Sequence, residues 1–158
     1  MKALVPLAAL SLLLTGCLGD RPQPLAGLDR QLDQAGAERS PSLSGRWLAV
    51  IARRGEREVV LLVDLEGQGL VPLPGLNRPD AQPLSVAVDG QGERLAVVRQ
   101  WEGRTELVLY RRRPGSVQRI AMQPAGVPRR VSLRADGREL AVEVSRNGLW
   151  QVDLIEVP

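Results

Sequence analysis

One phrase recurs three times along this chain and restricts what it can fold into. Gly45-Arg46-Trp47-Leu48-Ala49-Val50, Gly92-Glu93-Arg94-Leu95-Ala96-Val97 and Gly137-Arg138-Glu139-Leu140-Ala141-Val142 follow one another at steps of 47 and 45 residues. A short apolar piece precedes each: Leu43 in the first, Leu84, Val86 and Val88 in the second, Val131 and Leu133 in the third. A turn and a second apolar run come after, at Val59 to Leu65, Leu107 to Tyr110 and Leu149 to Val157. The first two runs are followed by another short strand-like piece, Leu70 to Leu73 and Val117 to Met122. A period of ~40–45 residues with four strands per unit is the pattern of propeller blades.

The turns and the composition agree with strands. Asp89-Gly90 and Asp136-Gly137 offer the positive-φ residues that tight hairpins require, and Asn147-Gly148 is a strong two-residue hairpin signal. Val59 to Val63 is apolar without alternation, as expected of a strand buried on both faces. The chain is 44% hydrophobic yet only 3% aromatic, with no Phe. Its core must therefore come from Val, Leu, Ile and Ala, a composition that leans towards β-structure where Val and Ile cluster.

These units resemble the TolB-like (WD40-like) propeller repeat, in which a Ser-Pro-Asp-Gly-Arg segment leads into a strand of the Leu-Ala-Val type. Ser132 to Val142 is the nearest match. The second unit has Asp89-Gly90 with two residues inserted before the strand, and the first, Ser42-Leu43-Ser44-Gly45-Arg46, lacks the Asp. The resemblance runs from Ser40 to Pro158 and implies an all-β fold, a partial β-propeller of about three antiparallel blades. It gives Gly45, Asp89, Gly90, Asp136 and Gly137 a structural role: the carboxylates cap the hairpin backbone and glycine takes the left-handed conformation. It also implies protein partners bound through loops and blade tops. Closed propellers have ~4–8 blades, and an open stack exposes apolar faces and strand edges. Three resolutions stand open: the N-terminal segment covers one face, two chains combine into a six-bladed ring, or the strands form a different small sandwich or barrel.

The N-terminus supplies an address. Lys2 precedes an apolar stretch from Ala3 to Leu14, which fits a signal-peptide core better than a membrane span of ~20 residues. Leu14-Thr15-Gly16-Cys17 then resembles the bacterial lipobox. The resemblance implies lipid attachment at Cys17, cleavage before it, and a bacterial membrane anchor. Leu18 in place of Asp implies the outer membrane, facing the periplasm. The expected domains are a signal peptide over 1–16, a lipidated Cys and linker over 17–40, and the repeat domain over 41–158. Gly and Pro make 18–40 read as a tether, with Leu25, Leu28 and Leu32 at the spacing of a short helix around Leu25 to Gln34.

Several chemistries lack their residues. There is no His and a single Cys, so an internal disulfide, the usual zinc and haem ligands, and Ser-His-Asp or Cys-His catalysis are missing. No glycine-rich phosphate loop leads into a helix. Glu56/Glu58, Glu66, Glu102/Glu106 and Glu139/Glu143 fall in turns or alternate along strands and read as solvated. Lys2 is the one lysine among 21 basic residues and the net charge is +3; arginines so interleaved with acids do not form the clustered face that nucleic acid needs. Arg111, Arg112 and Arg113 are the one cluster, a turn able to meet anionic headgroups or an acidic partner. Trp101, in a turn, is the other candidate for interaction; Trp47 and Trp150 read as core or blade-edge packing. The expectation is a membrane-anchored cell-envelope lipoprotein acting as a non-enzymatic protein-interaction module. It has no metal and no cofactor beyond the lipid on Cys17, and it binds an envelope protein or itself rather than nucleic acid. The alternative is an accessory subunit related to propeller enzymes that binds a small sugar or peptide, which a pocket joining carboxylates to an aromatic would favour.

Overall fold

The computed structural model describes residues 23–24, 26–33 and 36–157; the signal segment and Leu14, Thr15, Gly16 and Cys17 lie outside them. Among the described residues one helix, α1 (Ala26–Asp33), precedes eleven strands in three antiparallel meanders. Sheet 1 holds β1 (Glu38–Ser44), β2 (Trp47–Arg54), β3 (Arg57–Asp64) and β4 (Gly69–Val71). Sheet 2 holds β5 (Ala81–Val88), β6 (Arg94–Trp101), β7 (Arg104–Arg111) and β8 (Ser116–Ile120). Sheet 3 holds β9 (Val127–Leu133), β10 (Glu139–Arg146) and β11 (Leu149–Glu156), three strands among the described residues. The recurring Leu-Ala-Val phrases become β2, β6 and β10, the second strand of each sheet. The all-β, partial-propeller reading is therefore the observed architecture.

The sheets stack because their faces are apolar on both sides. Val60 and Leu62 of β3 meet Val86, Val88, Leu95, Val97, Val108 and Tyr110 of sheet 2. The opposite face of sheet 2, with Ala96, Val98 and Leu107, meets Leu133, Leu140, Val142 and Val144 of sheet 3. Each such Val or Leu contributes roughly 1.5–3 kcal/mol relative to an exposed one. The first strands of the sheets, β1, β5 and β9, lie side by side along the inner edge of the stack. Serine hydroxyls bridge them. Ser42 Oγ accepts the Val88 amide at 3.1 Å, and Ser85 Oγ accepts the Val131 amide at 3.2 Å.

The N-terminal segment differs from a plain tether. α1 falls within the span expected to be linker, and its Leu32 packs on Val50, Ala52 and Leu61 of the outer face of sheet 1. The first strand opens at Glu38, not at 41. The short helix expected around Leu25 to Gln34 is thus present over Ala26–Asp33; Leu25 itself lies outside the described residues.

Candidate interaction surfaces

Sheet 3 turns one side to sheet 2 and the other away from the stack. Register sets Trp150 opposite Ser145, Val152 opposite Glu143 and Leu154 opposite Ala141, on the side away from Leu140, Val142 and Val144. Among the described residues no sheet packs on these side chains: Trp150 is 55% exposed, Val152 69% and Leu154 82%. Trp150 is thus not a packing residue of the stack. Its ring carries only the Arg129 guanidinium, 5.2 Å from its centroid. Period-2 alternation in β11 was hidden by apolar residues on both faces, so the sequence could not say which side would be left open.

The arginine triplet serves the junction between sheets 1 and 2. Arg112 donates from Nε to the Gly92 carbonyl at 2.8 Å and pairs with Glu93. Its guanidinium also lies 5.3 Å from the Trp47 ring centroid, with Arg46 at 4.9 Å. Trp47 is buried. Arg111 donates to Gln118 Oε1 at 2.7 Å, and Arg113 stands 3.6 Å from Glu93. These cations tie turns together instead of forming a bare basic patch.

The repeat turns lie at the same end of the stack. Asp89 is buried, and its Oδ1 accepts the Glu93 amide at 2.9 Å; Asp136 Oδ1 accepts the Arg138 amide at 3.0 Å. Gly45 and Gly137 are left-handed, with φ of 57° and 71°. Gly90 departs from the expectation. The left-handed residue of its turn is Gly92, at φ 66°, because the two-residue insertion moves the tight bend next to the strand. Gly90 instead allows close approach: its amide donates to the Ala135 carbonyl at 2.8 Å, and a Cβ there would stand 3.0 Å from that oxygen.

At the opposite end, a cleft of about 580 Å³ opens between the β2–β3 hairpin, the approach to β5 and the β6–β7 hairpin. Trp101 forms one wall, and its indole N–H donates to Asp80 Oδ2 at 2.9 Å. Arg78 chelates the same carboxylate, and the two donors hold Asp80 well below the usual carboxylate range. Glu58, on the other wall, accepts two bonds from Arg39 at 2.8 and 2.7 Å. That pairing, helped by Gln82, holds its carboxyl down at about 2. The side chains of Glu56 and Arg57 line the cleft with no hydrogen bond or ion pair to other described residues. Behind it, Arg99 and Glu106 pair at 2.8 Å with both side chains buried. Glu106 is therefore no solvated carboxylate; cross-strand register with Arg99 drew both ions inside. Among the described residues no group of three or more His, Cys, Asp or Glu side chains is placed to hold a metal ion.

No family model matches the chain, and no curated protein matches it. Solved structures do. TolB from Acinetobacter baumannii superposes with a TM-score of 0.57 at 20% identity, over 74% of this chain and 29% of that one. The Cps50 (Swd1) β-propeller domain of Myceliophteria thermophila gives 0.46 at 17% identity, over 76% and 35%. The C-terminal WD40 domain of Sif2 gives 0.45 at 16%, over 77% and 34%. The chain thus spans about a third of each of these chains. The likeness to TolB shows the fold, a run of adjoining propeller blades.

Proposed function

We propose that this chain is a membrane-anchored cell-envelope lipoprotein whose three-sheet domain acts as a non-enzymatic protein-interaction module. The observation that supports it best is the open face of sheet 3. Contiguous exposed apolar surface on a water-soluble domain marks a contact site, and Trp150 with its stacked Arg129 combines the two residue types most enriched at binding hot spots. The lipobox ending at Cys17 supplies the anchor; several acyl chains hold a protein far more firmly than one, which binds only reversibly. Two measurements test the reading. Cys17→Ala should move the protein from the membrane fraction to the soluble one, and continued membrane retention would refute the anchor. Tagged wild-type chain purified from envelopes should bring down proteins that Leu154→Asp loses; identical recoveries would refute the contact face.

The Trp101 cleft supports a second reading, a small sugar or peptide ligand, because it sets an aromatic wall beside the unpaired Glu56 and Arg57. Its other carboxylates, Glu58 and Asp80, are already held by arginines. Quenching of Trp101 fluorescence by oligosaccharides or short peptides, lost in Trp101→Leu, would favour this reading.

A further inference from the structure

We infer that the open face of sheet 3 docks against sheet 1 of a second copy of this chain, so that two chains close one ring of six sheets. This rests on the interaction-module reading and names its partner. The chain already contains two sheet-to-sheet junctions, and they share a pattern. At each, a serine of one inner strand accepts a backbone amide of the next: Ser40 from Val86 and Ser42 from Val88 at the first, Ser85 from Val131 at the second, where Ala87 holds the place of Ser42. At each, the receiving sheet offers an apolar residue at the end of its inner strand, Val88 in the first and Leu133 in the second.

Both halves of a junction like the first are present and unused. On sheet 3, Ser132 stands where Ser42 stands on sheet 1; it is exposed and its hydroxyl makes no hydrogen bond to other described residues. Beside it lie the exposed Val152 and Leu154. On sheet 1, Leu43 holds the place of Val88 and Leu133, yet it is 68% exposed. Sheet 3 thus offers the serine side of the pattern and sheet 1 the amide side, and they point in opposite directions along the stack. The described sheets 1 and 3 of one chain cannot meet each other, so a second copy supplies the match. Propellers close with ~4–8 sheets, so two chains of three sheets fit and three chains exceed the range. A two-fold ring also uses both open faces of each chain, as closed symmetry requires. α1 stands in the way. Its Leu32 covers part of the receiving face, so the helix is a plug that ring closure displaces, and it sets a competition between closed monomer and ring.

The test uses two full-length chains with different tags, co-expressed, one carrying Ser132→Cys and the other Leu43→Cys. After oxidation of isolated envelopes, a disulfide-linked species bearing both tags should form. It should be absent when either variant is paired with wild-type chain, which controls for Cys17. Adding Leu32→Glu to the Leu43→Cys chain should raise its yield severalfold by releasing the plug. An intrachain pair, Ser42→Cys with Val88→Cys, is the positive control for the geometry. If the control links and the two-tag species does not form, the ring is wrong. Links only between identical variants would likewise overturn it, because they require face-to-face pairing of like sheets. If the ring fails while other envelope proteins are still recovered in a Leu154-dependent way, the interaction-module reading survives; if both fail, neither stands.

Discussion

Replacing Gly92 with alanine tests how tightly sheets 1 and 2 are joined. Gly92 is left-handed, and a Cβ built on it would stand 2.4 Å from Trp47 Cδ2, 2.5 Å from Cε2 and 2.9 Å from Cε3. Carbon atoms in contact prefer ~3.5–4.0 Å, so the indole would have to retreat by about 1 Å. It has little room, since it is 6% exposed and has the Arg46 and Arg112 guanidinium groups against its ring. The left-handed backbone alone costs ~1–2 kcal/mol for an L side chain, and overpacking a filled site adds ~1–3 kcal/mol. Gly92→Ala should therefore destabilise by about 2–5 kcal/mol. At ~2–4 °C per kcal/mol for a chain of this size, that is a fall of roughly 4–20 °C in Tm.

The two contributions can be separated within the same fold. Gly103 has φ 72° but nothing within 4 Å of its would-be Cβ, so Gly103→Ala bears the backbone cost alone, about 1–2 kcal/mol. Urea unfolding of both variants gives the packing cost as the difference in midpoint, provided the slope m is unchanged. If Gly92→Ala proves no worse than Gly103→Ala, Trp47 does not fill the junction as described.

Three further outcomes are expected. Glu106→Ala leaves the Arg99 charge buried without its partner and should cost ~3–5 kcal/mol, whereas Arg99→Met with Glu106→Leu should recover most of that; unfolding curves of the three proteins decide. Ser85→Ala removes the acceptor of the Val131 amide, a loss of ~1–3 kcal/mol for a desolvated donor, and should speed hydrogen exchange at that amide, which stays slow if the serine bridge is idle. Acid should weaken the fold through Glu58: its carboxyl is held at about 2 in the folded chain against ~4.3 when free, so its stabilisation is full above the free value and is lost as pH falls towards the folded one. Asp80 and Asp153, also lowered by arginine partners, act in the same direction. The Arg39–Glu58 pair is partly solvated, which limits its share to about 1 kcal/mol, and Glu58→Gln should flatten the urea midpoint between pH 5 and 2 by that amount.

The stack could be read from the sequence because it is written in repeats. Leu48-Ala49-Val50 and its two echoes announce equivalent strands, and the unbroken Val59 to Val63 announces burial on both faces, so strand placement followed from local patterns. What stayed hidden depends on which faces meet. Trp47 and Trp150 sit in comparable strand sequence, yet one fills a junction and the other lies bare, because only tertiary stacking decides that a sheet has a neighbour. Gly92 is masked by Gly90 in the sequence because Asp-Gly is the stronger local signal, while the inserted residues move the bend. Glu106 looked like any alternating surface carboxylate; its burial required knowing that Arg99 lies directly across from it.

The preference for arginine, with Lys2 the one lysine among 21 basic residues, takes on a structural meaning once the junctions are seen. A chain with no Phe has few large side chains to seal the ends of its sheets, and arginine forks stand in for them. Arg39 reaches Glu58 and the carbonyls of Leu84 and Pro83, fastening sheet 1 to β5. Arg94 reaches the Gly137 carbonyl, fastening sheet 2 to the turn of sheet 3. Arg146 joins Asp153 to the carbonyls of Pro124 and Ala125. A planar guanidinium can serve two or three acceptors in fixed directions at once, and a lysine ammonium on its flexible stem cannot hold such a set. The same economy explains why Arg111 to Arg113 is a poor docking patch: its cations are spent on Gln118, Gly92 and Glu93. The apolar side of β11, where Val152 and Leu154 stand exposed, has no such arginine pairing across it.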